Sequence, residues 1–176
     1  MIKKHVLILV LFMICIAFTV PERVSKKADR EIAKFYETAD FTKEIISISE
    51  VANAETTSEF TNENFFKIES DGNFLGYGYI GSARSKTAMF DFLVLFDEDL
   101  IITKSKVLIY REEYGGEIGS KRWLRQFIGK SSSSPELIYN QDIIPISGAT
   151  ISVRSMTQAM NDLLQSVGKL QELNVL

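Results

Sequence analysis

Apolar and polar positions change their period several times along this chain, and each change marks an element. Residues 6–20 form one apolar run with no polar face, preceded by Lys3 and Lys4 and closed by Pro21-Glu22-Arg23. From Lys26 onward, Ile32, Phe35 and Tyr36 fall on one face of a short helix. Phe41 and the alternation through Ile46 and Ile48 then predict a strand, and the polar stretch VANAETTSEFTN (51–62) predicts a loop. Phe65, Phe66 and Ile68 lead through Asp71-Gly72-Asn73 into Phe74–Ile80, a hairpin signalled by the Asp-Gly pair. A second hairpin runs from Met89–Phe96 across Asp97-Glu98-Asp99 to Ile101–Tyr110. Gly115-Gly116 marks a further turn, Trp123, Leu124 and Phe127 form a helical apolar stripe, and Ser131–Ser134 with Pro135 is a loop. After Pro145, the residues Val153, Met156, Met160, Leu163 and Val167 line one face of a last helix, from about Ser152 to Val167. The stripe reads as core packing. These elements predict one α+β domain over residues 26–176, an antiparallel meander with flanking helices.

The first apolar run is treated apart, as a transmembrane anchor or signal sequence over residues 1–21. It is shorter than the ~20 residues of a spanning helix and at the long end for a signal core. No good A-x-A site follows, and the weak cleavage option is near Thr19. Basic residues lie on both sides, Lys3 and Lys4 before it and Arg23, Lys26, Lys27 and Arg30 after it, so charge alone does not orient it. The favoured reading is an uncleaved anchor with the domain on the extracytoplasmic side of the cell membrane. The alternative is export after signal cleavage.

Composition narrows the chemistry more than it narrows the fold. The formal net charge of −3, without a basic stripe interleaved with aromatics, gives no support for nucleic acid as a partner. The single histidine is His5 and the single cysteine is Cys15. The remaining chain therefore has no Ser/His/Asp or Cys/His nucleophile system, no thiolate or imidazole metal site and no intrachain disulfide. Carboxylate chemistry, hydroxyl chemistry or a borrowed cofactor remain. Glu112 and Glu113 are adjacent, which points their side chains apart on a strand, so they read as a solvated turn before a paired-carboxylate site.

The stretch that stands out is Ser147-Gly148-Ala149-Thr150, four small residues directly ahead of the last helix. The plain reading is a turn and a cap, with Ser147 or Ser152 capping and Gly148 at positive φ. The sharper reading is a phosphate site. Small residues let backbone N–H groups approach an anion, the helix dipole favours negative charge there, and the Thr150 hydroxyl is within reach of it. The spelling is neither GxGxxG nor a Walker loop.

Ile146-Ser147-Gly148-Ala149-Thr150-Ile151-Ser152 resembles the flavinylation motif of the FMN-binding domain family. That family includes the flavin-bearing peripheral subunits of the Rnf complex and of the sodium-translocating NADH:quinone oxidoreductase. Val107–Gly116 is similar to the family's strand with an acidic residue and glycine turn. Gln126-Phe127-Ile128-Gly129-Lys130 is similar to its Q-F-x-G-K segment, and Ile32–Phe41 resembles its opening helix and strand. The resemblance implies FMN joined by a phosphoester to Thr150, with Ser147, Gly148, Ala149, Ser152, Glu112 and Tyr114 at the cofactor site. It also implies a flavin transferase, using FAD and magnesium, for maturation. The partners implied are redox proteins or quinone-linked membrane subunits, and the role is an electron carrier of a respiratory chain more than a stand-alone enzyme. Tyr77, Tyr79, Tyr114 and Trp123 are ring-stacking candidates that read first as core or strand surface. Arg84 and Lys86 are phosphate candidates that read first as a charged strand end. Two departures are visible. The aspartate usual three residues before the motif's Ser/Thr is Ile144 here, with Asp142 two residues earlier, and the glycine turn reads E-Y-G-G-E. The alternative reading is therefore a non-covalent ligand-binding or assembly module of the same fold. A reductase acting on a small acceptor is a third, without a histidine to serve it.

Overall fold

The computed structural model describes residues 20–176. Five strands, β1 (Thr42–Ile45), β2 (Phe65–Ser70), β3 (Asn73–Arg84), β4 (Met89–Phe96) and β5 (Ile102–Ile109), form one sheet in the order β1-β2-β3-β4-β5. Every neighbouring pair is antiparallel. Four helices accompany it: α1 (Glu22–Tyr36), α2 (Glu50–Ala54), α3 (Lys121–Leu124) and α4 (Thr150–Glu172). The predicted α+β meander with flanking helices is what is found.

The sheet is covered on both faces, which explains the composition of its middle strand. Along β4, Phe92, Val94 and Phe96 join the core under α4, while Leu93 and Leu95 join the core under α1. A strand buried on both sides reads as a near-continuous apolar run, MFDFLVLF, broken only by Asp91, which pairs with Arg111. The α4 face contributes Val153, Met156, Met160, Leu163 and Val167, all fully buried, as their spacing predicts. The opposite face of the sheet receives Val24, Ala28 and Ile32 from α1 against Phe66, Ile68, Ile80 and Leu108. The β2–β3 turn is formed by Asp71 (φ 52°) and Gly72 (φ 74°), the paired positive φ values that suit a tight hairpin.

Three expectations need correction at their boundaries. The first helix is longer than its pattern suggested, and it buries the 24/28/32 line, leaving Phe35 at the exposed edge. The first strand ends at Ile45, so Ile46 and Ile48 pack against the core from beyond it. The expected loop at 51–62 begins inside α2, which Ser49 starts by accepting a hydrogen bond from the Ala52 N–H at 3.2 Å.

Residues 1–19 fall outside the described residues, and with them nearly all of the anchor or signal assigned to 1–21. Among the described residues no helix is long and apolar enough to cross a membrane. Val20 is already part of the fold. It is buried in the α1 core, and its N–H donates to Glu63 Oε2 at 2.8 Å.

Candidate functional site

Thr150 is the first residue of α4, and the residue ahead of it, Ala149 (φ −126°, ψ 23°), has no side-chain oxygen with which to cap. Neither Ser147 nor Ser152 takes that role, which corrects the plain reading of the motif. The Val153 N–H donates to the Ala149 carbonyl at 2.9 Å. The N–H groups of Thr150, Ile151 and Ser152 therefore precede the helical ladder. A serine or aspartate at the capping position would satisfy one of them and is typically worth about 1 kcal/mol. Instead, the positive end of a 23-residue helix is presented uncapped beside an exposed threonine.

The loop before it is shaped for close approach. The Ala149 N–H closes a turn onto the Ile146 carbonyl at 3.1 Å, and Gly148 inside that turn has φ +76°. Ser147 and Gly148 are exposed, whereas Ala149 and Ser152 are buried. The Ser152 hydroxyl lies 3.0 Å from the Tyr110 hydroxyl, which ties the first turn of α4 to the end of β5. Gly115 (φ +79°) packs directly on Ala149: a Cβ at Gly115 would sit 2.4 Å from the Ala149 Cβ. The glycine turn and the small-residue motif, far apart in sequence, thus touch through the two residues that can afford it.

The third stretch enters through α3 and the 3-10 turn that follows it. The Trp123 Nε1–H donates to the Ile144 carbonyl at 2.8 Å, and the Ile144 N–H donates to Gln126 Oε1 at 2.7 Å. These bonds fix the segment leading into the motif. Ser155, one turn into α4, donates its hydroxyl to the Arg84 carbonyl, which brings the end of β3 alongside. Arg84 and Lys86 themselves are exposed.

Glu112 has a defined structural task. Its Oε1 accepts from the Ser85 hydroxyl (2.6 Å), the Thr87 N–H (2.7 Å) and the Ala88 N–H (3.2 Å), and its Oε2 from the Thr87 hydroxyl (2.8 Å). It closes the loop between β3 and β4. The Ser85 hydroxyl first, then the donors of Thr87, hold its carboxyl well below the ordinary 4.5, at about 2. A depressed carboxylate contributes stability above its unfolded pKa and loses it as pH falls through its folded one. Glu112→Gln is therefore expected to lower Tm at neutral pH and to flatten the fall in Tm between pH 4.5 and about 2. Parallel acid melts of the two proteins check this, and superimposable curves would remove the clamp.

The aromatic candidates separate cleanly. Tyr79 and Trp123 are buried and Tyr77 packs partly buried against the same core. Burial pushes the Tyr79 hydroxyl up to about 12. Tyr114, by contrast, is 77% exposed and immediately precedes Gly115, while Ile144 and Ile151 are exposed on either side of Ser147–Thr150. Two contributors escaped the sequence reading. Tyr110 was visible only as the end of a strand. Arg154 lies four residues after Thr150 on the exposed side of α4, with its guanidinium 4.6 Å from the Tyr139 ring. The spacing of four was the available signal.

The site is a helix end on the surface, not a cavity. A cleft of about 750 Å³ lies at the far end of α4, against Ser132 and Lys169. No curated protein matches this chain. Residues 87–165 match the family model described as FMN-binding domain, a span that contains the 107–116, 126–130 and 146–152 segments and ends within α4. The upstream likeness over residues 32–41 lies outside that match.

Proposed function

We propose, on the match of residues 87–165 to the FMN-binding domain family, that this protein is a membrane-anchored, extracytoplasmic electron carrier with FMN esterified to Thr150. The observation that carries the reading is the uncapped, dipole-positive start of α4 with Thr150 exposed at its first position. Attachment joins the Thr150 oxygen to the phosphorus of the FMN half of FAD. The pyrophosphate bond breaks and AMP leaves, while the hydroxyl proton passes to a base supplied by the flavin transferase with its magnesium.

One- and two-electron transfer is the chemistry that FMN supplies when bound. The chain's own groups hold and orient. The N–H groups of Thr150, Ile151 and Ser152 would hold an ester phosphate at the helix start, and Arg154 would add a cation one turn along the same side. Gly148 keeps the approach free of a side chain, with nothing within 4 Å of its Cβ position. Tyr114, Ile144 and Ile151 provide exposed apolar surface for a planar ring. Donor and acceptor are redox proteins or quinone-linked membrane subunits in this reading.

One observation favours a second reading, a module that binds its ligand without an ester. Ile144 stands where the family usually has an aspartate, and Asp142 Oδ2 is engaged by the Ile138 N–H at 2.9 Å within its own turn. Intact mass of the full chain, co-produced with a flavin transferase and exported, separates the two. Covalent carriage gives an increment of FMN less water. An unmodified chain, under conditions that modify a known family member, overturns the ester and leaves the binding module. For the location, an alkaline phosphatase fused after Leu176 is expected to be active. An inactive fusion, paired with an active β-galactosidase fusion at the same place, overturns the extracytoplasmic placement.

A further inference from the structure

A cleft of about 490 Å³ opens between the last turns of α1, strand β5 and the α3 segment, lined by side chains outside the proposed flavin site. Five of them are cationic, Lys34, Lys104, Lys106, Lys121 and Arg125, in a chain whose net charge is −3. The single carboxylate in the lining, Glu31, is already engaged, by Lys104 Nζ at 3.2 Å and Lys106 Nζ at 3.7 Å. Lys34, Lys121 and Arg125 have no carboxylate partner among the described residues.

The same cleft carries apolar surface that the core does not need. Phe35 is 37% exposed and Ile128 46% exposed, and they lie in the lining with buried Leu124. Lys104 Nζ sits 5.2 Å from the centre of the Phe35 ring, a cation–π contact that steadies the ring at the cleft wall. Exposed aromatic and branched side chains beside unpaired cations suit a ligand with an apolar body and an anionic head. The size decides between a small molecule and a macromolecular face. A concave space of about 490 Å³ falls within the usual range for small-ligand sites.

We propose that this cleft is a binding site for a small amphipathic carboxylate, with its apolar body on Phe35, Leu124 and Ile128 and its head on Lys121 and Arg125. The arginine offers a planar fork that a carboxylate matches with two hydrogen bonds, and the lysine adds a compact charge. Lys34 supplies a further cation at the rim. The α3 segment that carries the head group's partners also carries Trp123 and Gln126, which hold Ile144. The second site and the segment entering the Thr150 loop therefore rest on one support. The proposal stands independently of flavin attachment.

Fluorine NMR on the full chain in phosphatidylcholine nanodiscs tests it, with fluorophenylacetate as the probe and its neutral amide, fluorophenylacetamide, as the control. The acid is expected to shift and broaden saturably while the amide does not. Lys121→Gln with Arg125→Gln is expected to weaken the acid by about tenfold or more, and Phe35→Ala to weaken it also. Lys169→Gln, at the larger cleft, is expected to leave it unchanged. Doping the discs with phosphatidylglycerol separates two sources of the anion. Undisturbed binding supports a soluble carboxylate, and competition by the lipid overturns that assignment in favour of an anionic phospholipid head. Equal binding of acid and amide, equal affinity in the doubly neutralised variant, or no saturable binding overturns the site. Unchanged Tm of the charge variants keeps an unfolding artefact out of the comparison.

Discussion

Thr150→Ala is expected to abolish the FMN mass increment completely, and Thr150→Ser to retain it at least in part. The alanine variant removes the only oxygen that the proposed ester uses, while serine keeps a hydroxyl on the same carbon. Loss by misfolding is not the expected cause. Thr150 is exposed at the first position of α4, where its side chain packs little, and alanine has the higher helix propensity. Surface changes of this kind usually move stability by no more than about 0.5 kcal/mol. Intact mass and a melt of the same sample therefore read two independent quantities. A Thr150→Ala chain that keeps the increment overturns the acceptor assignment. Peptide mapping would then turn to Ser147, since Ser152 is buried with its hydroxyl against Tyr110.

Gly115→Ala is expected to be the most damaging small substitution near the site. The residue sits at φ +79°, which costs a non-glycine side chain about 1–2 kcal/mol. Its new methyl would also lie 2.4 Å from the Ala149 Cβ, an overpacking that typically costs about 1–3 kcal/mol. Together these predict a loss of about 2–5 kcal/mol and a Tm lower by roughly 5–15 °C for a domain of this size. The strain falls on Ala149 and hence on the approach to Thr150, so flavin attachment is expected to drop in the folded fraction as well. Gly116→Ala is the matched control, because nothing lies within 4 Å of its Cβ position. Equal melting temperatures for the two variants would show that the Gly115–Ala149 contact carries no structural demand.

The parts of this molecule legible in its sequence are those decided locally. The Asp71-Gly72 hairpin, the second hairpin of β4 and β5 and the Val153–Val167 stripe each follow from neighbours a few residues away. The flavinylation motif was legible as a resemblance, and the family match covers it. What escaped was set by distant contacts. Pro21 looked like the stop of an apolar run, yet it is also a residue well suited to start a helix, so α1 begins directly after it. Ser147 and Ser152 looked like caps. The capping position falls instead on Ala149, whose methyl fills the space Gly115 leaves, a pairing no local pattern reports. Glu112 reads as a solvated turn residue until the loop at 85–88 folds back to claim both of its oxygens.

The burial of Val20 and its bond to Glu63 have a mechanical corollary. Between that residue and α1 stands only Pro21, and α1 is laid flat along the sheet. Whatever precedes Val20 thus joins the domain at a buried residue bonded to Glu63 and directly beside α1. If residues 1–19 hold the protein to a bilayer as proposed, residues 20 and 21 add no slack of their own between that hold and the sheet that carries the Thr150 face.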